Sequence, residues 1–173
     1  QASGSFRTRP SKGSAAKTRI AFGGGAAYKP MYERMWSVIA GHRFDAFLFL
    51  GDNVYIDAPL NPHYQRYKYY RRQSWPDYRT FIANTPIYAI WDDHDYGPND
   101  GDASYIGRPN ACRVYREQVP HYPLVQNDIT GPIYHSFVIG RVRFIMTDVR
   151  SERVSKSAPD NSSKTIFSAA QDS

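Results

Sequence analysis

Apolar residues along this chain gather in short runs, and most runs end in a carboxylate. Ala46-Phe47-Leu48-Phe49-Leu50 has no polar position on either face. A strand of that kind is covered on both sides, as in a parallel sheet flanked by helices. Thr18 to Phe22 and Ile87 to Trp91 are shorter runs rich in β-branched and aromatic residues and read as further strands. Ile133 to Ile139 and Val142 to Asp148 flank Gly140-Arg141, which is a hairpin signal.

Helical patterns separate these runs. One opens at Pro30 and carries Met31, Met35, Trp36, Val38 and Ile39 as its apolar set, closing at Gly41. A Tyr- and Arg-rich stretch from His63 to Arg72 has helical spacing that places Tyr67, Tyr70 and Ser74 on one face, with Arg66, Lys68 and Arg72 reaching into water. Pro76 to Ala83 and Cys112 to Val119 complete the helical segments, and Ser5 to Arg9 reads as a short strand closed by Pro10. The alternation predicts an α/β fold with a mixed β-sheet, helices on its faces and residues 45 to 50 at its centre.

Composition narrows the class. The 173 residues are 41% hydrophobic and 15% aromatic, enough for one domain with a real core. No apolar run approaches the roughly 20 residues of a membrane span, and no signal peptide is evident. A single cysteine, Cys112, excludes an internal disulfide framework and a cysteine-based zinc cluster. The net charge of +6 is compatible with nucleic acid or with a phosphorylated substrate. The mixture of Tyr and basic residues from His63 to Arg72 has the composition of a single-stranded nucleic-acid surface, but it accompanies no recognised RNA-binding motif. Gly23-Gly24-Gly25 follows a strand, yet it lacks the Lys-Ser/Thr ending of a phosphate loop.

The chemistry concentrates past two strand tips. Ile90 runs into Trp91-Asp92-Asp93-His94-Asp95, and five carboxylates, His94 and Asn99 fall between positions 92 and 102. Leu50 runs into Gly51-Asp52-Asn53-Val54-Tyr55. Ligands of open α/β sheets lie beyond the carboxyl ends of the strands, so Asp52 and Asp93 can meet there. Carboxylates that share a site repel unless a cation lies between them, and oxygen donors suit Ca, Mg, Mn or Fe. Two ions bridged by an Asp would suit hydrolysis by activated water.

These two motifs, with Thr147-Asp148-Val149-Arg150, resemble the alkaline phosphatase D family of calcineurin-like metallophosphoesterases over about residues 18 to 153. The resemblance implies a four-layer α/β/β/α sandwich and a metal-dependent phosphoester hydrolase, of phosphatase or phosphodiesterase type, using metal-activated water. Asp52 would bridge the metals, Tyr55 would bind a ferric ion as phenolate, Asp93 and Asn99 would be further ligands, and His94 would face the phosphate as the catalytic residue. Calcium, with iron as a second ion, is the cofactor set implied, with Mg and Mn open. The partner implied is a small phosphoester, with nucleic acid only as a phosphodiester substrate, and the setting is secreted, periplasmic or cell-surface.

Gly25 stands where many members carry a cysteine ligand, and no His-rich metal segment follows Asp148. Residues 1–17 are therefore expected to be a linker ending a preceding domain, and residues 18–173 the N-terminal half of a catalytic domain. A non-catalytic metal-binding or association domain, and a basic nucleic-acid module, are the alternative readings.

Overall fold

A computed structural model describes residues 8–57, 60–121, 124 and 128–172. Three strands, β1 (Ile20–Gly23), β2 (Ala46–Leu50) and β3 (Ile87–Ile90), form one parallel sheet in the order β1-β2-β3. Residue Leu48 sits between Phe22 and Tyr88, so β2 is central, as its two-sided apolar run predicts. The strand expected at Ser5 to Arg9 lies outside the described residues at positions 5 to 7, and Thr8 and Arg9 are irregular.

The alternation of side chains along β2 divides the core. Phe47 and Phe49 pack on one face with Trp36, Tyr78, Phe81 and Ala89, supplied by α1 (Met35–Gly41), α3 (Pro76–Asn84) and β3. Trp36 stacks on Phe81 with ring centroids 5.4 Å apart. Ala46 and Leu48 face the opposite way, toward Val114 and Tyr115 of α5 (Arg108–Gln118) and toward a hairpin. That hairpin, β4 (His135–Ile139) and β5 (Val142–Met146), is antiparallel and turns through Gly140 at φ 59°. It lies over the sheet through Phe137, whose ring stacks on Tyr88 at 3.5 Å between centroids. Among the described residues the antiparallel strands form their own two-stranded sheet instead of joining β1–β3. The mixed pairing expected within one sheet is therefore divided between two, stacked face to face.

Two helical expectations are corrected. The segment opening at Pro30 begins as a 3-10 turn over Pro30–Tyr32, and α1 starts only at Met35. Trp36 is buried, whereas Val38, two positions on and so on the opposite face of α1, and Met31, in the 3-10 turn before the break, are exposed. Helix α2 (Pro62–Gln73), capped by Asn61, turns Gln65, Tyr69 and Arg72 inward at i, i+4 and i+7, leaving Tyr67 and Tyr70 in water. Arg72 is 2% exposed because Nη2 finds Oε1 of the fully buried Glu33 at 2.9 Å, while Nη1 donates to the Asn53 carbonyl at 2.8 Å. A buried guanidinium is tolerable only with such partners.

Candidate metal centre

The C-terminal ends of β2 and β3 stand side by side and expel their next residues into one place. Gly51, at φ 105°, makes the close approach possible: a Cβ there would lie 2.5 Å from Asp92 Cβ and 2.7 Å from the Asp92 nitrogen. The chain then turns at Asp52, whose φ of 51° is unusual for a residue with a side chain. Asp57 and Asp100, both in the loops around the same place, also adopt positive φ. Backbone held in sparsely populated regions tends to cluster at functional sites.

After β3 the chain forms a short helix, α4 (Asp93–Tyr96). Asp95 builds it. Asp95 is buried and accepts hydrogen bonds from the backbone nitrogens of Asn53, Val54 and Asp92 and from the Asn53 amide, at 2.6 to 3.3 Å. Burial pushes its carboxyl up to about 7, against the pull of those donors. Asp95 thus ties the β2 loop to the β3 loop.

That tie brings together donor atoms of Asp52, Asp93 and His94, all within 4.8 Å of one another. Asp52 Oδ1 accepts from the His94 backbone nitrogen at 3.3 Å, and Oδ2 accepts from the Tyr55 hydroxyl at 3.3 Å. Burial, and next the charge of Asp93, push the Asp52 carboxyl above its ordinary value. Burial and then Asp52 also push the Tyr55 phenol upward. The Tyr55 ring stacks on the His94 imidazole at 4.4 Å, and His94 Nδ1 meets Asp57 Oδ1 at 3.1 Å. Asp93 Oδ2 accepts from the Asp100 nitrogen at 2.6 Å. Asn99 is exposed, with its amide on Asp100 at 3.3 Å.

The donor set fits a hard cation. Two mutually repelling carboxylates and an imidazole converge, and a cation between them would relieve the repulsion that adds to burial in raising Asp52. Gly25 lies beside this place, its nitrogen donating to the Gly51 carbonyl at 3.1 Å, and it contributes no side-chain ligand. Asp148, a third strand-end carboxylate, has a different task. It is fully buried and accepts from Trp91 Nε1, the Ile133 nitrogen, and the Arg150 and Ser151 backbones.

The family described as PhoD-like phosphatase matches residues 20–173. The chain belongs to the PhoD-like phosphatase family. Among solved structures, one titled "Structure of PhoD" superimposes with a TM-score of 0.84 over 97% of this chain at 19% identity. At that identity the likeness shows a shared fold. The chain spans 40% of the length of that PhoD structure. No curated protein matches.

Two participants were given no role by the sequence. Asp57 meets the His94 ring, and it stands just past the Gly51–Tyr55 motif as the next acid in the chain. Arg150 meets Asp92 through Nε and lies 3.5 Å from Asp93 through Nη2. Its signal in sequence is its place closing the Thr147-Asp148-Val149-Arg150 motif just past β5.

Proposed function

We propose that this PhoD-like chain carries a metal-holding wall of a phosphoester-hydrolase active site. The observation that carries the reading is the convergence of Asp52, Asp93 and His94 at the carboxyl ends of two parallel strands, in a chain of this family. Asp52 and Asp93 would hold the cation, with Tyr55 beside Asp52 and Asn99 near enough in sequence to Asp100 to join from the loop. A bound cation there would supply Lewis acidity, neutralising phosphate charge and making water a nucleophile near neutral pH.

The chain's own groups then have distinct tasks. The Tyr55 hydroxyl donates to Asp52 and keeps that carboxylate turned toward Asp93. The His94 ring is held between Tyr55 and Asp57 by its Nδ1, which leaves Nε2 to serve a phosphoryl oxygen. Oxygen donors, with no thiolate at Gly25, favour Ca, Mg or Mn, with iron a second ion if other ligands complete its shell. A calcium ion takes about 6–8 oxygens, so waters or ligands beyond this set would fill the remaining positions. The substrate class is a small phosphomonoester or phosphodiester, and the setting we favour is secreted, periplasmic or cell-surface. Among the described residues no helix is long and apolar enough to cross a membrane.

The test is hydrolysis of an aryl phosphate and an aryl phosphodiester by the complete protein, with Ca, Mg, Mn and Fe supplied in turn. Metal-dependent turnover that Asp52→Asn abolishes supports the reading. Cation binding without turnover under any of these conditions leaves a metal-binding domain and removes the enzyme.

A further inference from the structure

Beside Asp52, two adjacent carboxylates project from the tip of β3, and something must decide which of them faces it. We infer that Arg150 is a positioning residue that draws Asp92 aside and fixes Asp93 as the partner of Asp52. This inference rests on the metal-site reading above.

The geometry is asymmetric. Arg150 Nε donates a hydrogen bond to Asp92 Oδ1, whereas Nη2 stands 3.5 Å from Asp93 Oδ1 as an ion pair. Asp92 is thus the hydrogen-bonded acid, and Asp93 feels the same charge while its lone pairs stay available. Asp93 is further braced by the Asp100 nitrogen on its other oxygen. The side chain of Asp92 is 35% exposed and that of Asp93 only 10%. Proximity to Asp52 belongs to Asp93, which joins Asp52 and His94 in the converging trio.

Arg150 can do this because its own backbone is pinned. Its nitrogen donates to Asp148 Oδ1 at 3.0 Å, and the same oxygen accepts from Trp91 Nε1 at 2.8 Å. Trp91 immediately precedes Asp92. One buried carboxylate therefore fixes the spacing between the base and the two acids it must reach. The Arg150 side chain is only 10% exposed, and among the described residues its Nη1 has no acceptor, so its side-chain hold rests on these two acids. A planar fork can address two carboxylates at once, which the single ammonium of lysine cannot do in the same geometry. Groups that orient metal ligands from behind commonly change metal affinity by about 10–100-fold when removed.

The test is calorimetric titration of the protein with Ca and with Mn ions, with circular dichroism and thermal unfolding as the check on folding. Arg150→Gln is expected to weaken affinity about 10–100-fold in protein that remains folded. Arg150→Lys should recover only part of that loss. In Asp92→Asn/Arg150→Gln, where Asp92 is no longer a stranded charge, stability should partly recover while affinity stays low. A simple counter-charge role predicts the reverse for Arg150→Gln, because removing a positive group would tighten cation binding; that result overturns the inference. Full recovery of affinity in the double variant also overturns it, since the loss would then reflect the stranded Asp92. If the wild-type protein binds neither ion, the metal-site reading falls and takes this inference with it. If it binds, and Asp93→Asn weakens binding but Arg150→Gln does not, only this inference fails.

Discussion

Replacing Arg72 by Met should be among the most damaging single changes outside the candidate centre. The side chain is 2% exposed and its partner Glu33 is fully buried. Methionine fills much of the volume but leaves the Glu33 carboxylate without its cation, although Trp36 Nε1 still donates to it at 2.9 Å. Removing one member of a buried pair costs about 3–5 kcal/mol. Within that total, loss of the donor to the Asn53 carbonyl accounts for about 1 kcal/mol. At about 2–4 °C per kcal/mol for a chain of this size, the melting temperature should fall by about 6–20 °C. The double variant Glu33→Gln/Arg72→Met removes the stranded charge and keeps an acceptor for Trp36, so it should regain more than half of the loss. Urea unfolding and thermal melts of wild type, both single variants and the double variant measure all of this. A cost below about 1 kcal/mol for Arg72→Met would refute the claim that this pair anchors the Asn53 loop, as would a double variant no better than the single one.

Two other predictions concern the loops themselves. Gly51→Ala puts a Cβ against Asp92 backbone at a φ of 105° and should cost about 2–6 kcal/mol from strain and overpacking together; Gly25→Ala, at φ 69° with nothing within 4 Å of the added carbon, should cost only about 1–2 kcal/mol, and equal costs would contradict the packing argument. The carboxyls of Asp52 and Asp95 are raised in the folded state, Asp95 to about 7, so the folded protein holds protons that the unfolded chain releases. Stability should therefore fall as pH rises from the ordinary carboxylate value toward about 7, and Ca or Mn should flatten that fall while releasing protons on binding. A stability profile that rises over that window and ignores the cation would oppose it.

The legible part of the fold was the part where one segment decides its own state. β2 is apolar at every position because both of its faces are covered, and its place at the sheet's centre follows. Asp52 and Asp93 were legible because each follows a buried strand, and the parallel pairing of β2 with β3 brings those tips together. The phase of α2 was not legible. Counting Tyr as apolar and Arg as solvated points Tyr67 and Tyr70 inward, but Glu33, far off in sequence, reverses the choice by receiving Arg72. Helix α4 is too short and too acidic to show a period, and it forms because Asp95 collects donors from a distant loop. Arg150 shares that cause: its contacts with Asp92 and Asp93 span more than fifty residues.

The most direct measurement is a titration of Ca and Mn ions into the wild-type protein and into Asp52→Asn and Asp93→Asn, followed by calorimetry. Both substitutions keep shape and remove a charge. If these carboxylates share a cation, wild type binds, and each variant loses at least about 10-fold in affinity while remaining folded. Binding that survives both substitutions unchanged would place the cation elsewhere and contradict the account.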